Sequence, residues 1–244
     1  APSYVSARSA DVILSDIRPT KLSPEALTSI NVFLDEFLYA ILSASQALHT
    51  AKIRGGVNKI LPTTLGKEAV LEAEMELRAY WERKGGSPEH GPEEGDWSTQ
   101  WMFELLRLKC EGYSTLSDTD ENPDAEARLY ERMKAQGVKP PQPSVLDPAA
   151  LYLTAIVEAV CEHVLSNVGR VAARDSSRTV SNAHDLFTAL CEDATIYGLF
   201  KSMKGAVYQI ITTDAYSDLC PSLRADRIFL QGPSRSSYQI LLEG

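Results

Sequence analysis

The sequence predicts an all-α chain in which one set of helices occurs twice. A long apolar stripe at three- and four-residue spacing opens after Ser23-Pro24, and a second opens after Asp147-Pro148. Each is preceded by a short amphipathic stretch and followed by shorter helical segments. Charge is balanced within the two halves and unbalanced only between them. Two like half-folds in one polypeptide can bury their apolar faces against each other. The expected arrangement is therefore a pair formed within a single chain, monomeric as a whole.

Residues 4–17 read as a short helix that ends ahead of Pro19, because the residue before a proline is pushed out of the helical region. Ser23 suits the N-cap and Pro24 the first helical position. Leu27, Ile30, Leu34, Phe37, Leu38, Ile41 and Leu42 then mark one face of a helix reaching about His49. Gly55-Gly56 are expected to break the chain. A further helix starts near Thr63 or Thr64 and runs through Ala69, Leu71, Met75, Leu77 and Trp81 to about Lys84. These elements form a first unit, residues 4–84.

Residues 85–126 read as a connector. Gly85-Gly86-Ser87-Pro88 and Gly91-Pro92 oppose regular structure at its start. Asp96 is placed to cap an amphipathic helix through Trp97, Trp101, Met102, Leu105, Leu106 and Leu108. From Ser114 to Glu126 the sequence is polar and acidic, and is expected to be mobile.

The second unit spans residues 127–203. Residues 127–136 form a short helix and 138–143 an extended, proline-rich loop. Asp147 is expected to cap the long helix with Pro148 at its first position. Leu153, Val157, Val160, Val164, Val168 and Val171 follow at spacings of 4, 3, 4, 4 and 3, a narrow seam suited to crossing another helix. The predicted partners of this seam are Leu34, Phe37 and Leu38. After a loop at 176–180, Ser181 caps a helix with Leu186, Phe187 and Leu190, extended by Ile196, Leu199 and Phe200. Residues 204–244 form an extension in which 206–211 and 240–242 read as short strands or packed segments.

The net charge of −9 is concentrated in the connector. Residues 1–84 hold ten basic and ten acidic side chains, and 127–244 hold twelve of each. Residues 85–126 hold two basic and eleven acidic. A protein that wraps DNA needs a Lys or Arg for each phosphate contact, so this map argues against duplex DNA as a partner. The lipid headgroups of a membrane are a second possible partner, but no polybasic cluster favours them. No uninterrupted apolar run approaches the roughly 18–20 residues of a membrane span. The N-terminus lacks a charged-then-apolar leader pattern. The chain begins at Ala1 rather than Met, which points to a processed chain or a segment of a longer one. Cys110, Cys161, Cys191 and Cys220 are scattered, without a paired spacing for zinc or a disulfide framework. A reducing, intracellular setting is expected, the cytoplasm ahead of the nucleus.

The segment LYLTAIVEAVCEHVLSNVGRVAARDSSRTVSNAHDLFTALCEDATIYGLF resembles the long helix, loop and third helix of the core histone that carries the nucleosome's acidic patch. SPEALTSINVFLDEFLYAILSASQALHT resembles the long helix of that histone's dimer partner. VNKILPTTLGKEAVLEAEMELRAYWERK is similar to the matching stretch in the N-terminal histone domain of Son of sevenless, a Ras nucleotide-exchange factor. That domain is itself two histone folds in one chain. The resemblance covers about 4–84 and 127–203. It implies two histone folds forming an intramolecular pseudo-heterodimer. It carries no catalytic motif and no cofactor. In histones a loop arginine pairs with an aspartate of the following helix, and Arg178 with Asp185 are the matching residues, Asp175 being the alternative acid. Of the patch positions, Glu158 and Asp193 are acidic, whereas His163, Ser166, Ala194 and Thr195 are not. Ligands that anchor an arginine in the patch are therefore not expected. The loop cations Lys21, Lys52, Arg54 and Arg178 are scattered and balanced by acids.

Other constellations favour plain readings. Cys161, Glu162 and His163 are adjacent and would diverge on a helix, so a metal site is disfavoured. No activated Ser or Cys motif and no phosphate-binding glycine loop occurs. Glu72, Glu74 and Glu76 read as a solvated face. The helix from Trp97 to Leu108 either packs across the paired halves as extra core or serves as part of a partner groove. The acidic run from Asp118 to Glu126 is a solvated linker or a contact for a basic partner. Trp97, Trp101, Leu105, Glu158 and Asp193 are thus the candidate partner-binding residues.

The expected function is that of a non-catalytic, regulatory protein-interaction domain within a larger signalling protein such as a GTPase exchange factor. Its partners would be other protein domains in cis or in trans. The alternative is a scaffold subunit of a transcription coactivator or chromatin complex with paired histone folds. A nucleic-acid architectural role is opposed by the charge map.

Overall fold

A computed structural model of the chain describes residues 1–85 and 97–203. Helices supply nearly all of its regular structure. Among the described residues the strands are two pieces of two residues each. Helix α1 (Ala7–Ser15) starts at Ser6, whose side chain accepts from the Ser9 amide. Strand β1 (Lys21–Leu22) leads into helix α2 (Pro24–Ser45), capped by Ser23 with Pro24 in its first turn. Helix α2 ends at Ser45, four residues short of His49, and its cap residue Gln46 takes a left-handed conformation (φ 47°).

The Gly55-Gly56 pair does not break the chain. Both residues lie inside helix α3 (Thr50–Ile60). The reason at Gly56 is proximity: a Cβ there would lie 3.1 Å from the Ile41 carbonyl oxygen and 3.1 Å from Ser45 Cβ. The missing side chain lets α3 fold back closely against α2. Helix α4 (Thr64–Lys84) follows and ends at Gly85 with φ 64°. Its buried face is Leu65, Ala69, Val70 and Ala73, whereas Leu71 and Met75 point to solvent.

Helix α5 (Thr99–Tyr113) has Ser98 at its cap position, and Asp96 lies outside the described residues. The polar stretch 114–126, expected to be mobile, is tied down. Ser114 donates to the Tyr4 carbonyl, Ser117 to the Ser3 carbonyl, and the Ser6 amide to the Leu116 carbonyl. Its acids have a local use as well. Helix α6 (Pro123–Ala135) begins inside that stretch, capped by Asn122, with Asp124 and Glu126 in its first turn. Carboxylates are favoured there by the helix dipole.

Helix α7 (Pro143–Ala172) starts before Asp147, using Gln142-Pro143 as its entry. Pro148 sits within the helix and is buried. Strand β2 (Val180–Ser181) precedes helix α8 (Ala183–Glu192), which Asn182 caps rather than Ser181. Asn182 accepts from the Asp185 amide and Asp185 accepts from the Asn182 amide, a reciprocal cap. The chain turns at Asp193 into a separate helix α9 (Tyr197–Ser202). The strands proposed within 206–211 and 240–242 fall outside the described residues.

Helix α7 is the hub. Helices α1, α2, α4, α5 and α8 pack against it, α4 most extensively. The α4 contact was not anticipated from the sequence. Leu34, Phe37, Leu38, Val157, Val160 and Val164 all lie in one core. Fully burying a side chain of this size contributes about 1.5–3 kcal/mol. By length and composition α2 and α7 could each cross a membrane, with mean hydropathies of 1.3 and 1.5. More than half of each apolar window is buried in the fold (56% and 67%), the condition of core helices.

The strands β1 and β2 pair in parallel, Lys21 with Val180 and Leu22 with Ser181. Since β1 immediately precedes α2 and β2 follows α7, the start of α2 lies beside the end of α7. At the opposite ends, Leu48 just after α2 and Val138 just before α7 pack on one small cluster of Trp101, Met102 and Met133. The two long helices therefore run in opposite senses.

Candidate interaction surfaces

The loop after α7 is fixed by charge. The Arg178 guanidinium donates two bonds to Asp185, at 3.1 and 2.8 Å, in a fork that matches the carboxylate. Its Nε also lies 3.3 Å from Asp175. Arg178 thus reaches both acids that the sequence offered. Asp185 is buried and also accepts from the Asn182 amide at 2.9 Å. The Asp185 bond raises the Arg178 pKa further above its ordinary value. Arg18, from the loop before β1, donates to the carbonyls of Asp175 and Arg178. The Lys21 and Ser23 amides donate to Thr179 and Ser181. This clasp joins the entry of α2 to the exit of α7.

Glu158 and Asp193, the two acids that the sequence resemblance would place at patch positions, are both engaged within the chain. Glu158 accepts from the Thr115 amide (2.5 Å), the Thr115 hydroxyl (2.9 Å) and Ser114 (3.1 Å). Asp193 meets His163 Nε2 at 2.5 Å and Asn167 at 2.6 Å, and accepts from the Thr195 amide and hydroxyl. Burial pushes the Asp193 carboxyl up. The Thr195 and His163 bonds outweigh it and hold the pKa below the usual range. Glu162 shows the opposite balance. Partial desolvation and the like charges of Glu158 and Glu72 raise its pKa.

Of the tryptophan helix, Trp101 and Leu105 are buried and Trp97 is half-buried, its indole donating to Thr99. Their side chains pack inward, with Arg132 stacked 5.1 Å above the Trp101 ring. The helix serves as extra core on this face. Its other face is different. Phe103, Arg107, Leu108 and Glu111 of α5 stand opposite Ala125, Arg128, Leu129 and Arg132 of α6 across a groove of about 640 Å³. Tyr39 of α2, 45% exposed, meets Phe103 edge-on at 5.3 Å.

The charges along this groove are mostly matched. Arg107 lies 3.3 Å from Asp35 and 3.6 Å from Glu111, and Arg132 lies 3.5 Å from Glu104. Asp35 also accepts from the Tyr4 hydroxyl at 2.8 Å. Burial raises the Asp35 pKa, against the pull of Arg107. Arg128 is exposed and, among the described residues, makes no ion pair. The groove escaped the sequence reading because α6 was assigned to the second unit and not paired with α5. The available signal was the second stripe of α5, with Phe103, Arg107 and Glu111 four residues apart.

Chemistry elsewhere is quiet. Among the described residues no group of three or more His, Cys, Asp or Glu is placed to hold a metal ion. Cys110 and Cys161 are buried, and burial pushes both thiols up, Cys110 to about 12. Such thiols remain protonated at neutral pH and behave as core residues. No protein-family model matches the chain, and no curated protein sequence matches it.

Proposed function

We infer that the chain is a tandem histone fold, residues 4–84 and 127–203, paired head to tail within one polypeptide. We infer further that it acts as a non-catalytic docking domain of a larger signalling protein. The observation that carries the fold reading is the β1–β2 bridge with its Arg18 and Arg178 clasp. When two like helix–loop units pair in opposite senses, the loop entering one long helix must meet the loop leaving the other. The Lys21–Val180 register and the Arg178–Asp185 fork fit that requirement. The shared packing of Leu48 and Val138 on the Trp101, Met102 and Met133 cluster at the far end is its approximate counterpart.

The docking reading is supported by the α5–α6 pair, in which the connector helix α5 and the first helix of the second unit flank a solvent-open groove. Engagement of Glu158 and Asp193 inside the chain favours a partner site away from the patch positions. Affinity purification of the endogenous full-length protein, with mass spectrometry of its companions, tests this reading. Small GTPases or membrane-signalling proteins are the expected companions. Recovery with coactivator or chromatin subunits would replace the signalling role with that of a nuclear scaffold.

A further inference from the structure

We propose that α6 is a detachable strap: it lifts off α5 as one unit while the rest of the chain stays folded, and in place it masks the apolar face of Trp101 and Met102. The inference concerns contacts within the chain and does not rest on the docking reading. Helix α6 is set by local signals. Asn122 caps it, Pro123 opens it, Asp124 and Glu126 stand in its first turn, and Arg132 and Lys134 in its last. Beyond its end the Val138 amide donates to the Met133 carbonyl, and Gly137 takes φ 75°, a left-handed stop. Within it the Tyr130 hydroxyl donates to Glu126 at 2.7 Å.

Its grip on the rest of the chain is slight. Of its thirteen residues Met133 alone is buried. Helix α6 packs chiefly on α5, whereas α1, the other short helix ahead of a long one, packs on the hub α7. Met133 joins Trp101 and Met102 in a small cluster with Leu48 and Trp97 at its edge. No buried residue of the main core comes from α6, and only Leu129 and Tyr130 touch that core from outside. Losing α6 therefore leaves the main core whole, the condition for a local opening. The polar contacts that complete the grip are Lys109 with Glu126 at 2.9 Å, and Arg132, which stacks over Trp101 and lies 3.5 Å from Glu104. Joints bracket the helix. On one side the chain is pinned as far as Glu121, whose Cα would lie 3.0 Å from a Cβ on Gly112. On the other, Gly137 has open space around it and a proline-rich stretch follows. Once off, a helix of thirteen residues keeps its own hydrogen bonds only marginally, so its amides exchange together.

Amide hydrogen exchange of the whole chain, read residue by residue by NMR, is the test. The amides of α6 should share one opening and exchange about 100-fold or more faster than those of α7. Arg132→Ala removes the stacking on Trp101 without opening a cavity, since the Arg132 side chain is 61% exposed. It should speed α6 exchange about two- to fivefold and leave α7 unchanged. Met133→Ala should act in the same direction by about tenfold or more. Met102 reports the uncovered face of α5. Its oxidation to the sulfoxide by dilute hydrogen peroxide, read by mass spectrometry, should quicken in Arg132→Ala by the same factor as α6 exchange. Exposed Met75 is the reference and should not change. The proposal is overturned if α6 amides exchange as slowly as those of α7, or if Arg132→Ala speeds exchange alike throughout the chain. It is overturned too if α6 exchange quickens while Met102 oxidation does not, since the helix would then fray in place.

Discussion

Asp185→Ala should be among the most damaging single changes at the junction of the two long helices. The carboxylate is 1% exposed and accepts three bonds, two from Arg178 and one from the Asn182 amide. Losing the Asp185 half of the reciprocal cap leaves the Asn182 amide without its acceptor and costs about 1 kcal/mol. The two guanidinium bonds are charge-assisted, but the Arg178 side chain is 35% exposed, so solvent screening reduces their joint worth to about 1–2 kcal/mol. The sum is about 2–3 kcal/mol, or a fall in Tm of about 5–10 °C for a chain of this size. Asp185→Asn keeps one acceptor for the Asn182 amide and should cost about half as much. Arg178→Ala leaves the carboxylate buried with the cap alone and should cost about 2–3 kcal/mol. Equilibrium urea unfolding of the two alanine variants and their double mutant gives the coupling, expected at about 1–2 kcal/mol. A coupling near zero, or an Asp185→Ala cost below about 0.5 kcal/mol, would refute the view that this fork fixes the junction.

Val160→Asp places a carboxylate at a fully buried point of α7 and should abolish cooperative unfolding by circular dichroism; an unchanged melting curve would remove the seam from the core. Gly55→Ala meets nothing within 4 Å inside α3 and should raise stability by about 0.5–1 kcal/mol in denaturant titration. Gly66→Ala brings a Cβ to 2.0 Å from the Leu61 carbonyl oxygen and should destabilise sharply in the same titration; matching effects from the two glycines would contradict the packing described. Glu162 has a raised pKa, so the folded state holds its proton more tightly than the unfolded chain. Its ionisation therefore lowers stability as pH rises through the interval between the ordinary and the raised value. Glu162→Gln should raise Tm at about pH 7 and lose that gain near about pH 4, and a gain independent of pH would refute the like-charge account.

The helices were legible wherever an apolar stripe coincided with a cap. Ser23-Pro24 marked the start of α2, and Thr63 or Thr64 the start of α4. Local signals failed where long-range contact decided the outcome. Gly55-Gly56 read as a break, yet Gly56 serves the close approach of α3 to α2. Asp147-Pro148 mimicked a helix start, but Asp147 faces Lys109 and Tyr113 at 3.5 Å, and Pro143 begins the helix. The acidic run up to Glu126 read as a solvated linker. Lys109, from a different helix, meets Glu126 at 2.9 Å and helps to hold its end in place. The Arg178 and Asp185 candidates came from the resemblance, whereas Arg18 carries no local signature. Its role arises only when segments distant in sequence are brought side by side.

The clasp between β1 and β2 also bears on how quickly the chain assembles. Arg18 bonds to residues 157 and 160 positions away, across most of the described chain. Loop closure over such a span is only slightly costlier than over half of it, but it cannot be rewarded until the intervening helices have collapsed. The clasp is therefore expected to close after the barrier to folding and to act as a latch on the finished molecule. Weakening it should leave the rate of refolding near that of the parent and accelerate unfolding, so that it sets how long the two units stay joined.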